Sequence, residues 1–578
     1  MAVPTAPIPA TDRDLASMAE ARALAKRAKA AQALLGELSQ VQIDAIVDQM
    51  AAAVRPHAEA LARLAVEETG FGVVADKVQK NLFSTDQVHA FIKPMKTVGV
   101  VARLEEKKII EIAEPFGVVA AIVPSTNPTS TAIYKILIAI KARCAIVVSP
   151  HPSAARCITR VAEIMAEAAK RAGAPDGAIG WLTTVTIEGT QELMKQREIS
   201  VILATGGMGL VRAAYSAGKP AYGVGPGNAP CYIEASADLA KAAHDIILGK
   251  SFDNGVLCSS PNSVVVDEAV SDEVIRQFQA HGGHFLSSAE TDLLAKALVT
   301  PQRLPNPTLV GKSALVIAEK IGIGVPSGTR ALIARLQGVG RDHPLSIEKL
   351  CPVLSFYVVK DWREGCERCK QILRYGGMGH TMSIHSRNDA VILEFGLHKP
   401  AYRIVVNTPT THGSIGLTTG LDPAMTLGCG GFGGNITSDN ISPKHLLNIK
   451  RLAYELRPAT TNAPGKGSVA GAAAQTSGVT SAALTARIDQ YLKTRGFAPA
   501  ARPAMPAAVQ PAASKSSVPP SPPVEKPAAF VCEDDVRQAI RAGQTLLITD
   551  KSIVTPSARD LGEAQGVFRH LGTTGPAT

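Results

Sequence analysis

The chain has 578 residues, 46% hydrophobic and 19% charged, the composition of a folded protein long enough for two or three domains. Its net charge of +10 does not make it a nucleic-acid binder: half the surplus lies in residues 457–578, basic runs are absent and aromatics supply only 4%. Nine cysteines without regular spacing fit a reducing cytoplasm, residues 1–9 do not read as a secretory signal, and no stretch approaches the ~18 apolar residues of a membrane span.

Residues 10–70 are rich in Ala, Leu, Arg, Gln and Glu, with Leu34, Leu35, Leu38, Ile43, Ile46, Val47 and Met50 at helical spacing, which predicts two or three amphipathic helices. From 116 strands alternate with helices. Gly117–Val123 reads as a buried strand, Thr126–Lys141 as a helix, Cys144–Ser149 as a strand, Ala154–Ala172 as a helix and Val201–Ala204 as a strand. The last of these ends in Thr205-Gly-Gly-Met-Gly209 and a helix to Ala217. Right-handed βαβ units and a parallel sheet follow, with ligands expected outside the carboxyl ends of the strands. A second α/β block covers 224–427, with strands at Ser263–Asp267, Ser355–Val359 and Arg403–Asn407. The Cys366-Glu-Arg-Cys369 pair reads as part of a surface helix, because no second pair exists to complete a metal site.

Near 456 the globular pattern stops. Residues 458–479 read as a flexible linker, 480–496 as a short amphipathic helix with Leu484, Ile488, Tyr491 and Leu492 on one face, and 497–530 as a stiffer Pro/Ala-rich spacer. Residues 531–578 regain pattern: a helix with Val536 and Ile540, a strand Thr545–Ile548 and a turn at Thr555-Pro-Ser, too short to suggest a core of its own.

The chemistry gathers around Cys258, at the end of Ser251-Phe-Asp-Asn-Gly-Val-Leu-Cys258, and Asn127, in the turn after the first strand. A thiol that attacks an aldehyde carbonyl leaves charge on oxygen, which the Cys258 N–H and the Asn127 amide are suited to receive. An isolated cysteine is most often a small buried hydrophobe, so the weight lies on the combination. Gly428-Cys-Gly-Gly-Phe-Gly433 matches a dinucleotide fingerprint in letters only, because no strand-turn-helix surrounds it. Cys351 and Cys429 read as structural, and His380 as either a packing or a substrate-facing residue.

Five ordered blocks carry a resemblance over residues 15–457: Glu114–Ala132, Ser149-Pro-His-Pro152, Thr205-Gly-Gly-Met-Gly209, Ser251–Cys258 and Glu348-Lys-Leu-Cys-Pro-Val353. Together they resemble the acylating branch of the aldehyde dehydrogenase superfamily, including the propionaldehyde and acetaldehyde dehydrogenases of bacterial microcompartments. The resemblance implies an α/β fold with a Rossmann-type cofactor domain (1–223, with the N-terminal helices), a second α/β catalytic domain (224–427), a return segment (428–457) and a mostly flexible extension. It implies Cys258 as nucleophile and Asn127 in the oxyanion hole. Ser125, Thr126, Ser149, Pro150, His151, Thr205, Gly206, Gly207 and Glu348 would hold NAD, with no metal. Where hydrolytic members carry a glutamate, this chain is expected to have Gly223, so coenzyme A takes the acyl group in place of water.

The same resemblance implies a small neutral aldehyde and a homo-oligomer, dimer or tetramer. Residues 480–496 resemble peptides that attach cargo enzymes to microcompartment shells, which would place the protein inside such a compartment in the cytoplasm. The alternatives are a hydrolytic aldehyde dehydrogenase, an acyl-phosphate reductase and a non-catalytic cargo protein.

Overall fold

A computed structural model describes residues 10–457, 486, 490, 528, 530–549 and 552–570. The chain divides into two compact units, Met1–Thr461 and Asn462–Thr578. The 480–496 helix and both linkers lie outside the described residues, apart from positions 486, 490, 528 and 530. Among the described residues no helix is long and apolar enough to cross a membrane.

The first unit opens with helices α1 (Ala10–Gly36), α2 (Gln40–Val54), α3 (Ala58–Thr69) and α4 (Val74–Leu82). Leu35, Ile43, Ile46, Val47 and Met50 are buried as their spacing predicts, but Leu34 is 63% exposed. Adjacent helical residues point about 100° apart, so only one of Leu34 and Leu35 can face the core. Strands β1 (Gly99–Leu104) and β2 (Ile109–Pro115) form an antiparallel ribbon that β15 (Leu447–Ala453) later extends along β2.

The Rossmann-type sheet follows: β3 (Val118–Val123), α5 (Pro128–Lys141), β4 (Ile146–Pro150), α6 (Ala155–Arg171), β5 (Ile179–Trp181), α7 (Ile187–Lys195), β6 (Ile199–Thr205), α8 (Met208–Tyr215) and β7 (Ala221–Val224). The strands are parallel in the order β5-β4-β3-β6-β7. Every residue of β3 is buried, as expected of a central strand covered on both faces. Lys135 of α5 is buried beneath the carboxyl ends of this sheet, donating to Ile122 O (2.8 Å) and Leu203 O (2.9 Å). It thereby ties the ends of β3 and β6 together below the ligand side, and burial pushes its ammonium down to about 7.

A second parallel sheet has the order β10-β11-β12-β9-β8-β13-β14. In chain order its parts are β8 (Ala229–Ile233), α9 (Leu239–Ser251), β9 (Pro261–Asp267), β10 (Gly283–Phe285), β11 (Ala331–Arg335), β12 (Val353–Val359), α10 (Trp362–Tyr375), β13 (Gly379–His385) and β14 (Ala401–Val406). Cys366 and Cys369 lie on α10, but both are buried against Tyr232 and Val265 of the sheet. The helix is a surface helix as expected, with Arg363, Glu364, Glu367, Gln371 and Arg374 exposed, and the two cysteines form part of its core-facing stripe.

The second unit contains β16 (Phe530–Val531), α11 (Glu533–Ala542), β17 (Leu546–Ile548), β18 (Ile553–Val554), α12 (Pro556–Ala564) and β19 (Phe568–His570), with β16 parallel to β18 and β17 parallel to β19. Contrary to expectation it buries a small core of its own, from Val531, Val536, Ile548 and Ala558. The Thr555-Pro-Ser turn is the start of α12: Thr555 accepts from Ala558 N and Pro556 occupies the first turn, where its missing N–H costs nothing.

Candidate active site

A cleft of ≈ 580 Å³ opens where the carboxyl ends of β3, β4, β6 and β7 meet the turn that precedes β9. Ser125, Thr126 and Asn127 follow β3, Pro150 and His151 close β4, and Thr205, Gly206 and Gly207 close β6. All of them line the cleft together with Cys258 and Glu348. Ser149 does not line it. It is fully buried with its hydroxyl paired to Thr190 Oγ1 (2.8 Å), and Thr190 reaches the cleft instead. Sequence reasoning also missed the wall formed by Thr186, Ile187, Gln191 and Met194 around α7, whose residues look like an ordinary surface helix until the sheet order brings them beside β4.

Cys258 occupies a tight turn closed by Ser260 N donating to Leu257 O (2.9 Å), immediately before β9. Among the nine cysteines only Cys258 and Cys532 are more than slightly exposed. Desolvation in the cleft, with Glu348 and Cys429 adding to it, pushes the Cys258 thiol up to about 12 against the pull of Arg403. The resting group is therefore the thiol, and its proton must leave as it attacks. Gly227 packs on the same turn: a Cβ there would lie 2.0 Å from Cys258 O, so only glycine lets the β7–β8 connection pass this close.

Asn127 stands at the N-cap of α5, with Pro128 next, yet makes no capping bond. Its Oδ1 accepts from Lys80 Nζ (2.6 Å) and its Nδ2 donates to Thr126 Oγ1 (3.2 Å). Glu348 is partly exposed and accepts from Gly227 N through Oε1 (2.8 Å). Burial raises its carboxyl to about 8, opposed by that N–H and by Lys250 and Lys349. His380 is buried, with Nδ1 against Thr381 Oγ1 (3.0 Å), and burial and Arg403 lower it to about 3, so it stays neutral.

Gly223 does not face the cleft. A Cβ there would meet Tyr215 and Val211 at 2.8 Å, whereas the next residue, Val224, lines the cleft. Successive strand residues point to opposite faces, so the position from which a side chain reaches the cleft is shifted by one. The chemical consequence is unchanged, because valine offers no base. Among the lining residues Glu348 is the single carboxylate, and neither lysine nor arginine occurs.

The end of β6 suits a dinucleotide phosphate. Thr205 Oγ1 is buried with no hydrogen-bond partner, Gly207 is the uncapped N-cap of α8, and a Cβ on Gly207 would meet nothing within 4 Å. An orphaned hydroxyl beside open helix N–H groups is a ready acceptor site for an anion. The Gly428–Gly433 run forms a short 3₁₀ turn (Gly431–Gly433) and does not line the cleft. Among the described residues no cluster of His, Cys, Asp and Glu is suited to a metal.

Residues 6–285 match the aldehyde dehydrogenase family. The chain is 42% identical over 442 residues to the bifunctional aldehyde-alcohol dehydrogenase AdhE of Escherichia coli (strain K12), covering 76% of this chain and 50% of that protein. It thus spans about half the length of this relative. An acetylating aldehyde dehydrogenase from Geobacillus thermoglucosidasius shares 51% identity, covers 78% of this chain and 99% of its own, and superposes with a TM-score of 0.76. A propionaldehyde dehydrogenase from the Clostridium phytofermentans fucose utilisation bacterial microcompartment shares 29% identity over 74% of this chain and 96% of its own, with a TM-score of 0.67. With the two-sheet fold, the cysteine-bearing cleft and a 51% identical relative matched over nearly its whole length, the chain belongs to the aldehyde dehydrogenase family.

Proposed function

We propose that this chain is a CoA-acylating aldehyde dehydrogenase that oxidises a short-chain aldehyde to its acyl-CoA with reduction of NAD. The observation that carries the reading is one cleft holding the Cys258 thiol and the Asn127 amide, where β7 presents Val224 and no carboxylate. Cys258 Sγ attacks the carbonyl carbon and loses its proton to water in the open cleft. The oxygen that gains charge is received by the Cys258 N–H and the Asn127 amide, each donor being worth roughly 10²–10³ in rate. A nicotinamide bound in this cleft would supply the acceptor for the hydride that leaves the carbonyl carbon. β7 offers the thioester left on Cys258 no base to activate water, and Glu348 is engaged by Gly227 N–H, so the thiol of coenzyme A attacks the thioester and Cys258 leaves, taking the thiol's proton.

Thr205, Gly206 and Gly207 would hold the cofactor phosphates and Glu348 a ribose diol, a role that suits an acceptor whose other oxygen is already fixed by Gly227. Ser125, Thr126, Pro150 and His151 complete the cofactor wall. The absence of lysine and arginine from the lining supports NAD over a cofactor with a further phosphate. It also supports a neutral substrate; propionaldehyde is placed before acetaldehyde on the likeness to a microcompartment propionaldehyde dehydrogenase alone. NADH absorbance followed with propionaldehyde and NAD, with and without CoA, tests the reading. Catalytic accumulation is expected only with CoA, and equal turnover without it would mean that Glu348 or another group activates water.

The same proposal places the enzyme, as a homo-oligomer, inside a bacterial microcompartment, with residues 480–496 docking on a shell protein through Leu484, Ile488 and Leu492. Deleting 480–496 is expected to leave turnover unchanged and release the enzyme from purified compartments. Loss of turnover, or full retention in the compartment, would count against it.

A further inference from the structure

We propose that the buried trio Lys77, Lys80 and Asp253 positions the oxyanion hole, with Lys80 fixing which way the Asn127 amide faces. The inference rests on the roles given above to Cys258 and Asn127. Lys80 Nζ lies 2.6 Å from Asn127 Oδ1. An ammonium has only protons to offer, so the atom it meets must be the amide oxygen, and the N–H₂ group is thereby turned away from Lys80. Without that ammonium the remaining contact is with Thr126 Oγ1 (3.2 Å), a hydroxyl that can accept from the amide N–H or donate to its oxygen, so the amide can turn by half and present its oxygen to a developing oxyanion, which repels it.

Asp253, five residues before Cys258, joins the other half of the hole to the same lysines. Its Oδ2 pairs with Lys80 and with Lys77 Nζ (3.0 Å), and its Oδ1 accepts from Val73 N (2.7 Å). Lys77 also donates to Thr126 O (3.1 Å), so the turn that carries Asn127 is held twice. The lysine side chains are 2% exposed and that of Asp253 is 0% exposed, which leaves no water to substitute for a missing partner. Asp253 and Asn254 both have positive φ (48° and 52°), a conformation that persists only where the surroundings over-determine it. A cluster that merely stabilised the fold would have no need to spend a donor on the Asn127 side chain.

The test is a double-mutant cycle on the full-length enzyme, read as the single-turnover rate of NADH formation from propionaldehyde. Lys80→Met is expected to lower the rate roughly 10²-fold, as loss of one oxyanion donor does. In an Asn127→Ala background it should cost less than about threefold more, because the amide it orients is gone. Iodoacetamide labelling of Cys258, which develops no charge on a carbonyl oxygen, should stay within about threefold of wild type. Where Lys80→Met fails to fold, the triple variant Lys80→Met, Lys77→Met, Asp253→Leu, which leaves none of the three charges unpaired and no donor at Asn127, takes its place in the cycle. Losses that multiply in the double variant, or labelling that falls in parallel with turnover, would overturn the inference. An Asn127→Ala enzyme with an unimpaired rate would overturn the role of Asn127 itself, and with it this one.

Discussion

Replacing Cys258 with alanine is expected to lower aldehyde-dependent NADH formation by at least roughly 10⁴-fold, because nothing else in the cleft can form the covalent intermediate. Seven of the other eight cysteines are buried, and the remaining one, Cys532, belongs to the separate C-terminal unit. Cys429, near enough to act on the Cys258 thiol, is buried and does not line the cleft, so rescue by a neighbouring thiol is not expected. The same residue gives a pH signature. With the thiol pushed up to about 12, its thiolate fraction climbs roughly tenfold per unit between about pH 7 and about pH 9. Mass-spectrometric labelling of Cys258 by iodoacetamide should rise by that factor without a plateau in this range. A plateau below about pH 8 would mean that a group not facing the thiol in this arrangement stabilises the thiolate. Retained turnover in Cys258→Ala would return the choice to a chemistry that needs no covalent step.

The parts of this site that sequence made legible are those written in contiguous residues. Thr205-Gly-Gly207 closes β6, and Ser125–Asn127 closes β3; both follow from a buried apolar run ending in a polar, glycine- or proline-bearing turn. The strand alternation that fixed these turns also fixed the sheet, since parallel strands covered on both faces are uniformly apolar. The choice of Gly223 over Val224 has a reason of the same kind. A period of two makes a one-residue error in register reverse the face, and a four-residue strand such as Ala221–Val224 gives little pattern to set it. Cys366 and Cys369 fall on the buried face of their surface helix, in keeping with cysteine being among the most buried residue types. What no local pattern could supply is the Lys80–Asp253 contact, which spans 173 residues, or the Ser149–Thr190 pair that turns a predicted cofactor contact inward. Lysines at 77 and 80 look like the polar face of α4, and only the tertiary fold reveals that this face is buried.

Asp253→Ala is expected to destabilise the first unit by about 3–5 kcal/mol, the usual cost of removing one partner from a buried ion pair. The loss arises less from the missing attraction than from two ammonium groups, each 2% exposed, left with the more distant Asp76 as their remaining counter-ion. Burial already pushes Lys80 down to about 8, and Asp253, with Asp76 adding less, holds it from falling further. In the variant Lys80 should therefore release its proton more readily, which caps the penalty. The sign follows: a lysine whose folded pKa lies below its unfolded value of 10.5 binds fewer protons when folded, so stability rises with pH across that interval. The deficit of Asp253→Ala should accordingly be largest at acidic pH, shrink as pH rises towards about 8, the folded value of Lys80 in the wild-type enzyme, and level off above it, where both forms gain stability alike, read as the melting temperature of the full-length enzyme against pH. Combining Asp253→Leu with Lys77→Met and Lys80→Met removes all three charges at once, and apolar replacement of a whole buried cluster is often neutral in stability. That triple variant should regain much of the lost melting temperature while its single-turnover rate stays low. Recovery of both would reduce the cluster to packing, whereas recovery of stability alone separates what holds this loop folded from what aims Asn127 at the carbonyl.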